Sequence, residues 1–354
     1  MSAVKNLFKN TSWMMISQLI AGVFSFVWTI LIARYLGVDD FGILSFGISF
    51  TCLITILLDL GVTTYAIRDI SRNYELAGDY LGKLIPLKIL LSILTFLLSY
   101  VILILMGYGN ITIIVTMILV FQIAFMSMNS LFLGGFQAFG KLKYQAISTF
   151  IYSFIQLIAV LLVIYFNLGV IYIAVTYVVG YLAAMIYLSF STNKHIAVPK
   201  FSFDIDFWNK SIKYSLPFAL TAVFYSIYYS IDMVMLSYIS GDYATGIYNA
   251  AYKIMSVLFT FFPVYQNVVF PLMSKLFTDS EDLLKLSFVK SVKYLLLILL
   301  PVTVGITLYS DQLIVLIYGN NYLLSAKVMN ILVWSVSFLF VNGAASTLLN
   351  SSDK

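Results

Sequence analysis

Apolar residues run through this chain in blocks long enough to cross a bilayer. A crossing helix needs roughly 20 mostly apolar residues, rising 1.5 Å each. Ten blocks meet that length: 12–33, 41–60, 81–106, 111–132, 144–166, 170–190, 212–239, 244–270, 289–308 and 328–349. Of the 354 residues 62% are hydrophobic and 10% charged, against roughly half and a quarter in a soluble protein. A water-soluble fold has no room to hide this much apolar surface, so the solvent is lipid. The expected fold is all-α, a polytopic helical membrane protein.

The basic residues set the orientation. Of the 20 lysines and arginines, all but Arg34, Lys253 and Lys327 fall on one side when the blocks are threaded alternately through a membrane. The other side has the short turns 107–110 and 167–169, which carry no charge, and 241–243, which carries only Asp242. The positive-inside rule then puts the N-terminus in the cytoplasm of a multi-pass protein of the cytoplasmic membrane. The net charge of +5 reflects this orientation rather than an affinity for nucleic acid. A single Cys52 allows no intrachain disulfide, and His195 is the sole histidine, which argues against a His-based metal site. No cofactor is expected. The first block ends in Ala33-Arg34-Tyr35 without a small-residue cleavage motif, so it reads as a retained span.

Two stretches share a build. Ala33–Ile43 and Ser237–Ile247 each join two apolar helices through a glycine turn. At an offset of 204 positions Gly37 falls on Gly241, Gly42 on Gly246 and Ile43 on Ile247. Both halves continue through a long loop of mixed charge into a helix entered through lysines: Lys83 and Lys88 in the first, Lys290 and Lys293 in the second. Such matching halves indicate an internal duplication. The longest polar interval, 191–211, separates six blocks from four. Within it Phe201, Phe203, Phe207 and Trp208 alternate with polar residues, which fits either a plain linker or a segment lying on the cytoplasmic interface. The expected organisation is a six-helix lobe over 1–192, a linker over 193–211 and a four-helix lobe over 212–354. By the repeat register, the second lobe stops at least two spans short.

Several motifs carry a family resemblance. Ser12-Trp13-Met14-Met15-Ile16-Ser17-Gln18 opens the first block, Arg34-Tyr35-Leu36-Gly37 and Asp40-Phe41-Gly42 form its hairpin, and Leu58-Asp59-Leu60-Gly61 ends the second. Later come Asp232, Met235-Leu236, Gly246-Ile247-Tyr248, Ala250, Leu316-Ile317-Tyr318-Gly319 and Tyr322. In this order and spacing the chain resembles Wzx-type polysaccharide-biosynthesis flippases of the multidrug/oligosaccharidyl-lipid/polysaccharide (MOP) superfamily. The resemblance implies two pseudo-symmetric lobes around a central cavity that opens alternately to either membrane face.

Charges within apolar blocks are the candidate site, because each costs about 2.5–3.5 kcal/mol at mid-membrane. Tyr225, Tyr228, Tyr229 and Asp232 share one helical face. Tyr248 and Tyr252 form an i, i+4 pair beside Lys253, and Arg34 lies near the outer end of the first block. Tyrosine rings suit sugar faces, and the cations Arg34 and Lys253 suit a diphosphate. Competing readings stay open. Asp232 and Lys253 also fit a structural ion pair, the tyrosines an interfacial belt, and Arg34 a snorkelling side chain. Asp59 is read as a cap or as a partner of Arg68. Arg68, Lys83, Lys88, Lys290 and Lys293 line the cytoplasmic mouth, either as orientation anchors or as attractors of a lipid diphosphate. Pro263, Pro271 and Pro301 are expected to kink their helices.

The leading functional expectation is translocation of a polyprenyl-diphosphate-linked oligosaccharide, a precursor of a surface polysaccharide or of a glycoprotein glycan, with H+ or Na+ as the candidate coupling ion. The alternatives are a cation-coupled drug exporter of the same superfamily and, behind it, a membrane-embedded polymerase or glycosyltransferase. Nucleotide loops, nucleophile triads and metal clusters are absent from the sequence, so an enzyme is not expected.

Overall fold

The computed structural model describes residues 2–351, apart from the side chains of residues 2–11, 14, 263, 264, 267, 268, 278, 279 and 281. The side chains of Lys5, Lys9, Met14, Pro263, Asp279, Glu281 and Lys354 therefore lie outside the described residues. Eleven α-helices follow one another: α1 Ser2–Asp59, α2 Val62–Arg72, α3 Ala77–Leu105, α4 Asn110–Ala138, α5 Lys143–Tyr165, α6 Val170–His195, α7 Ile205–Phe259, α8 Phe261–Asp279, α9 Glu281–Leu308, α10 Ser310–Tyr318 and α11 Leu324–Ser351. Among the described residues every regular element is helical.

Eight helical segments are long and apolar enough to span a membrane. Those from α1 and α7, 45 and 55 residues long, are far longer than a hydrocarbon core of about 30 Å requires. Each breaks at a glycine. Gly37 has φ 74°, ψ −176° and Gly241 φ 80°, ψ −177°. That region of backbone space is essentially reserved for glycine, so the two turns of the repeat share a conformation as well as a sequence pattern. Counting each long helix as two spans recovers the ten blocks. Within the eighth block, α7 stops at Phe259 and α8 resumes at Phe261; Pro263, lacking an N–H, cannot bond the Phe259 carbonyl.

The chain forms two compact units, Met1–Thr245 and Gly246–Lys354. In the first, α4 is central, packed by α1, α3 and α6, with α5 against α1 and α6. The two arms of α1 run in opposite directions. Ser17 bonds Thr149 in the early turns of α5 at 2.9 Å, and the Tyr35 hydroxyl accepts the Gly169 amide in the α5–α6 turn at 2.9 Å. Beyond Gly37 the order inverts. Phe46 stacks on Tyr108 in the α3–α4 turn with ring centroids 4.3 Å apart, and Asp59 reaches Lys88 in the first half of α3. The short turns thus gather at one end of this unit, while α2, the α4–α5 turn and the linker gather at the other.

The first part of α7 docks on the second arm of α1 and the turn after it. Ser226 Oγ donates to the Cys52 carbonyl at 2.7 Å, Ser215 Oγ donates to the Leu60 carbonyl at 2.6 Å, and Val234 joins the core around Phe46 and Phe50.

The second unit packs α11 against α8, α9 and α10. Phe262 meets Phe340 edge-on at 5.3 Å, Thr303 and Ser337 share a hydrogen bond of 3.0 Å, and Ser325 Oγ donates to the Ile247 carbonyl at 2.8 Å. Tyr318 and Tyr322 are both buried, with the chain turning between them at Gly319, φ 95°. Pro271 and Pro301 lie within α8 and α9.

Candidate functional site

The strongest electrostatic feature of the first unit is a charge pair inside the helix bundle. Lys88 is fully buried (0% exposed) on α3, about 16 Å past the helix start at 1.5 Å per residue. Its ammonium donates to Asp59 at 2.6 Å and to Ser127 Oγ of α4 at 2.8 Å. Thr63 Oγ1 also donates to Asp59, and Ser127 Oγ to the Leu58 carbonyl at 3.3 Å. An isolated charge there would be prohibitive. A carboxylate and two hydroxyls make the cluster tolerable, and removing one partner of such a buried pair typically costs about 3–5 kcal/mol. Asp59 therefore pairs with Lys88 and not with Arg68. The guanidinium of Arg68 instead lies 3.2 Å from Asp69, its neighbour on α2.

The remaining mouth cations divide by half. Lys83 sits between Asp79 at 3.2 Å and Asp204 of the linker at 2.9 Å, whereas Lys290 and Lys293 are exposed on α9. Burial raises the Asp69 carboxyl, but hydrogen bonds from Tyr80, Tyr65 and Arg68 outweigh it and leave the group below its ordinary value. Asp204 is also held low, by the Phe207 amide and then by Lys83.

The linker is a fitted strap. Lys200 N donates to the Gly78 carbonyl at 3.0 Å, and Trp208 Nε1 to the Lys83 carbonyl at 2.7 Å. Phe207 lies edge-on to Tyr80 at 5.0 Å, with the Lys83 ammonium over its ring. Gly82 permits this approach, since a Cβ there would lie 2.0 Å from the Lys200 carbonyl oxygen. Phe201 and Phe203, by contrast, project outward, 70% and 83% exposed.

The tyrosine face forms as the spacing predicts. On α7 the Tyr225 and Tyr229 rings are 4.5 Å apart, and Tyr228 meets Tyr229 edge-on at 5.1 Å. Tyr225 and Tyr228 are largely exposed, as is Asp232, whose Oδ1 accepts the Met233 amide at 2.8 Å. In the second unit Tyr248 and Tyr252 stack at 6.0 Å and 18°, with Lys253 next in sequence and half-buried. Arg34 is exposed on α1, three residues before the Gly37 break.

The Asp59–Lys88 link is the feature that sequence spacing did not assemble. Its partners are 29 residues apart, beyond any helical periodicity. The available signal was depth: Lys88 lies more than a turn beyond Lys83, too far inside α3 to behave as a surface anchor.

A family model described as "Polysaccharide biosynthesis protein" matches residues 7–277, and one described as "MatE" matches residues 217–354. The teichuronic acid biosynthesis protein TuaB of Bacillus subtilis (strain 168) is 28% identical over 122 residues, 34% of this chain and 25% of that protein. The aligned stretch thus spans a quarter of TuaB. An uncharacterized membrane protein of Methanocaldococcus jannaschii, MJ1375, is 24% identical over 295 residues, 79% of this chain and 70% of that protein. Among solved structures, lipid II flippase MurJ in an inward closed conformation superposes with TM-score 0.77 at 18% identity, over 96% of this chain and 76% of MurJ. An inward-facing multidrug resistance MATE family transporter of the MOP superfamily gives 0.73 at 14% identity, over 97% and 84%. At such identities the likeness is one of fold, and the fold is that of membrane transporters.

Proposed function

Because the chain belongs to the polysaccharide biosynthesis protein family, we propose that it flips a polyprenyl-diphosphate-linked oligosaccharide across the cytoplasmic membrane. The observation that carries this reading is the family match over residues 7–277. The glycan and diphosphate cross the membrane through the protein by alternating access, and the lipid tail stays in the bilayer. The N-terminus faces the cytoplasm, in keeping with the basic residues of the linker side. The paired rings of Tyr225 and Tyr229, and of Tyr248 and Tyr252, offer aromatic faces with hydroxyls for sugar. Arg34 and Lys253 are each a candidate cation for the diphosphate, and Asp232 is the candidate carboxylate for H+ or Na+.

The test is accumulation of lipid-linked glycan on the cytoplasmic face in cells relying on Asp232→Asn, Lys253→Ala or Arg34→Ala variants. At least one variant should accumulate precursor severalfold over wild type. Wild-type levels in all three would remove these residues from the site. The match of residues 217–354 to the MatE model supports a second reading, a cation-coupled drug exporter. That reading calls for resistance to cationic drugs that rises with expression, while precursor levels do not change.

A further inference from the structure

A second site lies on the flank of the first unit. α3 and α6 both pack on α4, and between them a cavity of about 830 Å³ runs along the bundle. Ile89, Ile93 and Leu97 form one wall as an i, i+4, i+8 stripe, while Phe121 and Phe125 of α4 contribute to the lining. Its lining extends on α3 from Ile85 to Leu97, about 18 Å at 1.5 Å per residue. A bilayer's hydrocarbon is about 30 Å thick, so the trough is about one leaflet deep.

One end is chemically different. There Asn193 of α6 and Pro199 and Phe201 of the strap close the trough. The same backbone carries Lys194 and Lys200, both exposed. Of the acids beside the strap, Asp79 and Asp204 are occupied by Lys83, and Asp206 is exposed in the first turn of α7. An apolar channel one leaflet deep, ending beneath two lysines, has the polarity of a single anionic amphiphile.

We propose that this trough binds an anionic phospholipid of the leaflet on the strap side, with an acyl chain along α3 and its phosphate at Lys194 and Lys200. The depth favours a phospholipid over a long prenyl chain, which would overrun the end of the trough. The proposal does not depend on the flippase reading. Through Pro199 and Phe201 it also touches the strap that leads into α7, so lipid composition would bear on how firmly that strap is held.

Native mass spectrometry of the full chain tests the proposal, after reconstitution in equimolar phosphatidylglycerol and phosphatidylcholine. Wild type should retain phosphatidylglycerol preferentially, by about fivefold for each lysine engaged. Lys194→Ala with Lys200→Ala should bring the two lipids towards parity, and the control Lys210→Ala with Lys213→Ala should leave the preference intact. Ala124→Phe, which fills the trough floor, should release both lipids. Equal retention by wild type would overturn the proposal, as would unchanged preference in the Lys194/Lys200 variant. Displacement of phosphatidylglycerol by an equimolar polyprenyl phosphate would also overturn it, by assigning the trough to a prenyl chain.

Discussion

Gly37 and Gly241 break their helices with matching dihedral angles, yet the helices that follow them carry different chemistry. In the first half the arm after the break ends in Asp59, which holds Lys88 inside the bundle. At the same offset of 204 positions the second half has Pro263, and Lys293, which enters α9 much as Lys88 enters α3, is exposed. Duplication kept the backbone device and let the charges diverge. A glycine-only conformation tolerates no other residue cheaply, whereas an ion pair can be lost once both partners change together.

The largest expected effect separates the halves. Lys88→Ala strands Asp59 and should destabilise the detergent-solubilised chain by about 3–5 kcal/mol, whereas Lys293→Ala should stay within about 0.5 kcal/mol, the range of ordinary surface changes. Thermal unfolding reads both, and equal losses would erase the contrast. The glycine breaks should behave alike: Gly37→Ala and Gly241→Ala are each expected to cost about 1–3 kcal/mol through backbone strain. A loss at one position only would show that the two turns are not equivalent. Gly82→Ala places a Cβ against the Lys200 carbonyl and should loosen the strap more than the bundle, read as faster protease cleavage within residues 196–204 at little change in Tm.

The smallest effect concerns pH. Asp69 and Asp204 both sit below their ordinary value. Their contribution is therefore present above the unfolded carboxylate range, near pH 4, and is lost as pH falls through the folded values. Trp208, bonded to the Lys83 carbonyl, should report strap release in acid by its fluorescence. Asp204→Asn should show the released signal already at neutral pH.

Much of this architecture is legible in the chain. Block length determined the helices, and the glycine offset located both breaks, because 1.5 Å per residue and the special backbone of glycine are local rules. The tyrosine pairs on α7 followed from helical spacing for the same reason. What spacing left hidden depends on contacts between distant segments. Asp59 reads as a cap or as a partner of the nearby Arg68, but α3 packing beside the end of α1 delivers Lys88 instead. The strap read equally well as a plain linker, since its fit depends on Gly78 and Gly82 presenting a groove that no periodicity announces.

The most direct test of the functional account uses proteoliposomes loaded on one face with a fluorescent polyprenyl-diphosphate oligosaccharide. The account expects the glycan to become accessible to an external glycosidase at a rate proportional to the amount of protein, well above protein-free vesicles. Accessibility at the protein-free rate, in vesicles where the chain is folded and inserted, would contradict it.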